Sequence, residues 1–178
     1  MNKKILIQSL TNYSSAFQEE NNYTSRFLEL LQHQDAFQRT HLPGHITGSA
    51  WIVNADHTKT LLVHHAKLNK WVQPGGHADG DENILAVSLR EAEEETGVKN
   101  FIIQESLFDI DIHTIPARKD FPEHEHYDIR FLLIANDAEE VIVSEESHDV
   151  KWVPLAQLEI YTQERSVLRM KEKLLRTL

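Results

Sequence analysis

Apolar positions in the first forty-two residues recur at helical intervals, and this stretch contains neither glycine nor proline. Phe27, Leu28, Leu30 and Leu31 form an apolar stripe, and Ser25 is placed to cap the turn that carries them. The pattern predicts an N-terminal helical extension over residues 1–42, ended by Leu42-Pro43-Gly44. From Ile46 onward the period shortens. Ala50 to Val53 is an apolar run, Asn54 to Thr58 a polar turn, and Thr60 to His64 a second β-prone run, which together predict a hairpin. Trp71 to Gly76 predicts a short strand that stops at Pro74-Gly75-Gly76. Ile84 to Thr96 reads as a helix, closed by Gly97 where a left-handed cap would sit. In Phe108 to Ile115, Phe108, Ile110 and Ile112 alternate with Asp109, Asp111 and His113, the signature of a half-buried strand. Tyr127 to Ala135 is richer in apolar residues and is expected at the centre of a sheet. Val150 to Val153 predicts a short strand before Pro154, and Gln163 to Leu175 a closing amphipathic helix. Interleaved strands and helices place residues 43–178 in the α/β class, as a mixed β-sheet sandwiched between helices.

Composition narrows the function. The chain has 178 residues, 40% apolar and 26% charged, with 18 Lys plus Arg against 28 Asp plus Glu. A formal charge of −10 disfavours binding to a nucleic acid duplex. With no cysteine at all, disulfides, thiolate metal sites and cysteine nucleophiles are excluded. Lys3-Lys4-Ile5-Leu6-Ile7 imitates the start of a signal peptide, but Gln8, Ser9, Thr11 and Asn12 break the apolar run too early. No stretch approaches the ~18–20 apolar residues of a membrane span. A soluble, cytoplasmic protein is therefore expected, with no membrane partner.

The candidate chemistry is concentrated between Gly76 and Val98. On the expected helix, Glu91, Glu94 and Glu95 fall within about one 100° arc, away from the stripe of Leu85, Leu89 and Ala92. Like charges at these spacings destabilise a bare helix, and anions near its C-terminal end oppose the dipole. A hard divalent cation offsets both penalties, and clustered carboxylate oxygens suit Mg²⁺ or Mn²⁺.

This segment resembles the signature of the Nudix hydrolase family: a Gly, five residues, a Glu, seven residues, then Arg-Glu-aliphatic-any-Glu-Glu-any-Gly-aliphatic. Gly76, Glu82, Arg90, Glu91, Ala92, Glu94, Glu95, Gly97 and Val98 fill every constrained position, Ala92 being the one soft match. The resemblance implies the Nudix fold and a metal-dependent pyrophosphatase acting on a nucleoside diphosphate linked to another group, or on a similar organic pyrophosphate. It further implies Glu91 and Glu95 as principal metal ligands, Glu94 as a ligand or the carboxylate that activates water, and Arg90 as an orienting arginine. It also implies the carbonyl of Gly76 at the metal and Glu82 as a support of the loop. A glutamate outside the signature, ahead of the last strand's Trp152, is common in the family, and Glu146 is the candidate here.

Eleven histidines are unusual for this length. His124, His126 and Asp128 alternate at a strand entry and point to one side, the arrangement of a small metal or phosphate site. Their positions, with His45 and His77, are similar to metal-binding positions of isopentenyl diphosphate isomerases. Those enzymes use a cysteine that this chain lacks. His45, His77, His124 and His126 are thus candidates for a second, transition-metal site. Lys67, Lys70, Arg118, Lys119 and Arg130 are candidates to meet substrate phosphates, Lys70, Arg118 and Arg130 foremost, and Trp71 could stack on a base. The alternatives to hydrolysis are a Nudix module that senses a nucleotide or metabolite without cleaving it, and an allylic diphosphate isomerase. The apolar surplus of the N-terminal segment raises the expectation of a homodimer.

Overall fold

Two helices, Lys3–Thr11 (α1) and Gln18–Leu30 (α2), precede the sheet in the computed structural model, which describes residues 1–119 and 121–177. Ser25 lies inside α2 and caps nothing. The helix starts at Phe17, whose side chain makes no capping bond, and Glu19 and Glu20 in its first turn complement the dipole. What holds α2 is packing: Phe27 and Leu30 are buried together with Leu6, Leu10, Leu31 and Phe37 against Ile84, Ile110 and Phe131. The N-terminal segment thus forms a layer of the chain's own core. Of the apolar side chains behind the expected homodimer, Phe27, Leu30, Leu31 and Phe37 are buried within this chain, while Tyr23 and Leu28 are partly exposed.

The expected hairpin forms from Gly44–Asn54 (β1) and Lys59–His65 (β2), with Ile52 opposite Leu61. Lys70–Val72 (β3) pairs with β2. The strand expected to stop at Pro74-Gly75-Gly76 instead breaks at Gln73-Pro74 and resumes as Gly75–His77 (β4) along β1, with Gly76 opposite Gly48. Glycine is required there, because a Cβ on Gly75 would stand 2.0 Å from Ser49 Oγ. Ile84–Thr96 (α3) begins and ends where the sequence places it. Asn83 caps its start through Ala86 N–H, and Gly97 closes it at φ 75°. Ile102–Ile115 (β5), His124–Ala135 (β6) and Ser147–Pro154 (β7) follow. A 3-10 turn at Leu155–Gln157 and a short helix, Leu158–Tyr161 (α4), were not foreseen; Arg165–Thr177 (α5) closes the chain.

The strand order is β3-β2-β1-β6-β5, with β4 added on β1 and β7 on β2. The pairing of β1 with β6 is parallel, from Gly44 opposite Glu125 to Asn54 opposite Ala135, and the other pairings are antiparallel. The sheet is therefore mixed, with β1 at its centre and β6 interior, between β1 and the edge strand β5. Alternation along each strand sends Ala50, Ile52 and Leu133 toward Ala92 and Val98 beside α3, and Trp51 and Leu132 toward Val167 and Met170 of α5.

The alternation in β5 does not mark a solvent face. Asp109 is 0% exposed and Asp111 5%, because α5 covers them. Arg169 donates to both carboxylates, through Nη2 at 2.8 Å to Asp109 and 3.2 Å to Asp111. The free edge of β5 is also covered: Ile110 N–H donates to Glu20 of α2 at 3.2 Å, and Lys173 Nζ donates to the same carboxylate. No helix among the described residues is long and apolar enough to cross a membrane.

Candidate active site

Helix α3 rests on the sheet at Gly48, where a Cβ would meet Ser88 Oγ at 2.9 Å. Ile84, Val87, Ser88, Ala92 and Thr96 form its buried stripe, while Leu85 and Leu89, expected to lead that stripe, are only partly buried. This seating turns Glu91 and Glu95 toward β4. A Cβ on Gly76 would lie 2.5 Å from Glu91 Oε2, so the missing side chain is what gives the carboxylate its place. Gly75 N–H donates to Glu95 Oε1 at 3.3 Å. Arg90 Nη2 donates both to Glu91 Oε1 at 2.7 Å and to the His77 carbonyl at 3.0 Å, which ties helix to strand.

Burial is the largest influence on both inner carboxyls. It raises Glu91, against the opposing pull of Arg90, and pushes Glu95 up to about 8, against the Gly75 hydrogen bond. Glu94 and Glu146 add to both shifts by like-charge repulsion, so the two stand close to the inner pair. Glu94 is exposed, its Oε1 4.0 Å from Arg90 Nε, and Glu146 is exposed on the loop before β7. Glu82 is exposed just ahead of Asn83, the residue that caps the helix. The structure thus brings Gly76, Arg90, Glu91, Glu94, Glu95 and Glu146 to one corner. Four carboxyl groups at one corner provide an all-oxygen donor set, which fits Mg²⁺ or Mn²⁺.

Two of the proposed substrate cations are placed elsewhere. Arg130 is 1% exposed and spends its guanidinium on Asp128 (2.7 Å), Asp109 (3.2 Å), Asp111 (3.3 Å) and Ser166 (3.3 Å). It is a core charge, unable to reach a phosphate in solvent. Lys70 pairs with Glu164 at 2.8 Å on the outer edge of β3. Arg118 is exposed between β5 and β6. His65 is lowered first by burial, with Glu146 opposing and Lys67 and Arg118 reinforcing. Trp71 is packed rather than free, stacked on His64 at 4.9 Å and edge-on to Tyr161 at 5.6 Å.

Arg39 was missed by sequence reasoning. It pairs with Asp79 through two hydrogen bonds, and its raised pKa, due first to that pairing, is also supported by Glu91 and Glu146. Nothing in the sequence signals it, since it reaches the corner from the far end of the N-terminal segment.

The four histidines converge on the opposite side of β4. Ring centroids lie 5.2 Å apart for His45 and His77, 5.0 Å for His45 and His126, 5.1 Å for His45 and His124, and 5.0 Å for His77 and His126. The parallel register sets His45 directly beside His126.

Comparison with known proteins agrees with this geometry. The NUDIX domain family profile matches residues 43–174. A curated relative, the m7GpppN-mRNA hydrolase NUDT17 of Xenopus laevis, is 40% identical over 57 residues, a stretch covering 29% of this chain and only 19% of that protein. Among solved structures, a C. elegans Ap4A hydrolase superposes with a TM-score of 0.60 at 18% identity, covering 74% of this chain and 96% of that one. A NUDIX family hydrolase from Clostridium perfringens superposes with a TM-score of 0.56 at 28% identity, covering 75% and 98%.

Proposed function

The chain belongs to the NUDIX domain family, and we propose that it is a divalent-cation-dependent pyrophosphohydrolase that cleaves a nucleoside diphosphate linked to another group, or a similar organic pyrophosphate. The observation that carries this reading is the gathering of Glu91 and Glu95 against the bare backbone of Gly75 and Gly76, with Arg90 bound to Glu91.

Glu91, Glu95 and the Gly76 carbonyl would hold Mg²⁺ or Mn²⁺, with Glu94 at the rim of the set. The cation supplies neutralisation of the diphosphate charge and acidification of the attacking water. Arg90 fixes Glu91 by a 2.7 Å bond and, through the His77 carbonyl, holds β4 at a set distance from α3. Glu94 and Glu146, both exposed, would accept the proton that the attacking water releases. Arg118 and Arg39 offer positive charge to an anionic substrate. Attack on phosphorus depends mainly on positioning and charge stabilisation, so no covalent intermediate is required.

The test replaces Glu95 by Gln, which keeps the shape and the acceptor for Gly75 N–H and removes the charge. Turnover measured on dinucleoside polyphosphates, capped RNA, nucleoside diphosphate sugars and nucleoside triphosphates with Mn²⁺ should fall by orders of magnitude in E95Q while the thermal transition survives. Equal product formation by both proteins rejects the assignment. Nucleotide binding without product by the unaltered chain supports a sensing module instead.

A further inference from the structure

The acidic centre uses the α3 side of β4, yet the opposite face of β1, β4 and β6 gathers His45, His77, His124 and His126, which hydrolysis as described does not need. One ring nitrogen from each of His45, His77 and His126 lies within 4.8 Å of the others. His45 is the most informative of them. It is fully buried, and its Nδ1 stands 3.3 Å from the His41 carbonyl, to which it can only donate. The neutral ring therefore carries its lone pair on Nε2, and that buried atom has no partner. His124 repeats the arrangement, with Nδ1 donating to the Pro122 carbonyl at 2.9 Å. A backbone carbonyl that fixes one ring nitrogen while the other faces a shared centre is the usual support of a metal-ligating histidine.

Spacing agrees. Tetrahedral bonds of ~2.0–2.1 Å set ligand nitrogens roughly 3.3–3.4 Å apart, and His124 Nε2 lies 3.3 Å from His126 Nε2, from which it accepts a hydrogen bond that an ion would replace. Within the trio the nitrogens must close from at most 4.8 Å to that spacing, a movement that falls to the half-buried His77 and His126 rings. We propose that His45, His77 and His126, with His124 as fourth donor, bind one divalent transition-metal ion of the Zn²⁺ type, at a site separate from the carboxylate centre. Imidazole donors without a carboxylate select such an ion over Mg²⁺. Ligand histidines must be neutral, and burial lowers His45, His126 and His77, the last to about 4. His77 follows Gly76 directly, so one short strand presents two centres of different hardness on its two faces.

The experiment titrates chelator-treated, full-length protein with Co²⁺ and then displaces it with Zn²⁺. One Co²⁺ per chain with the strong visible absorption of four-coordinate cobalt is expected, unchanged in E95Q. It should be weakened at least about 100-fold in H126N and H77N, since even outer-sphere changes cost 10–100-fold. Because those variants could lose structure, the imidazole resonances of His45, His77 and His126 are also followed in the unaltered Co²⁺ protein, where they should shift paramagnetically. Absence of the tetrahedral signature, its loss in E95Q, or unshifted imidazole resonances overturns the proposal, and none of these results bears on hydrolysis at the carboxylate centre.

Discussion

Replacing Arg130 by Met distinguishes a core charge from a substrate contact. The guanidinium serves Asp128, Asp109 and Asp111, all at most 5% exposed. Methionine fills much of the volume and supplies no charge. Arg169 and Lys173 still reach Asp109, and Thr47 and Ser49 still donate to Asp128. The local balance nevertheless changes from three cations against Glu20, Asp109, Asp111 and Asp128 to two. Removing one partner of a buried ion pair costs about 3–5 kcal/mol. For a chain of this size that is a fall in Tm of roughly 6–20 °C. The pH dependence has a definite sign. Burial by itself would raise Asp109 and Asp111, but the arginines outweigh it and hold both below the usual carboxylate range. Their contribution is thus complete above the unfolded carboxylate value of ~3.9 and is lost only as pH falls through the lower folded values. Without Arg130 burial regains influence, the folded carboxyls take up protons at higher pH, and the deficit of R130M narrows from pH 7 toward pH 4. Urea unfolding at pH 7 and pH 5, with steady-state kinetics alongside, measures both effects. A loss below about 1 kcal/mol combined with a raised KM, or a deficit that widens as pH falls, refutes this account and returns Arg130 to the substrate.

Two further substitutions test the site and the N-terminal layer. In G76A the new Cβ displaces only the flexible end of Glu91. Stability should therefore change by less than about 1 kcal/mol, while kcat falls on the order of 100-fold because a carboxylate has moved by about 1 Å. Unchanged kcat detaches Gly76 and Glu91 from the chemistry. In F27A a fully buried ring, edge-on to Tyr127 at 5.3 Å, is lost. Calorimetry should show a destabilisation of about 3–5 kcal/mol in a single transition, whereas an unaltered main transition would make residues 1–42 a detachable extension.

The seating of helix α3 was not legible, since the buried stripe runs through Ile84, Val87 and Ser88 rather than Leu85 and Leu89. Its bounds were, because Gly97, which adopts the positive φ that ends it, is a local signal. The hairpin of β1 and β2 was legible for the same reason, as was the grouping of Glu91, Glu94 and Glu95 on one arc. Strand β4 was not, since nothing within Gly75-Gly76-His77 announces a strand until Ser49 and Thr47 lie beside it. The alternation of His124 with His126 could be read from the chain. Their meeting with His45 and His77 was expected only from the resemblance to the isomerases, since physically it rests on the parallel register between β1 and β6 and on the pairing of β4 with β1.

The charges divide along the same line. Asp109 and Asp111 look like the solvent face of a strand, and Arg130 like a free cation, until α5 brings Arg169 over them from about sixty residues away. Period, capping and motif spacing act within roughly twenty residues, so the sequence alone determined the helix that carries the carboxylates, the class of fold and the family. Coulomb energy and desolvation depend on distance through space and on what covers a group. Only the tertiary structure therefore decided that Arg130 is a core charge, that Glu95 is buried, and that the N-terminal segment is a wall of the domain.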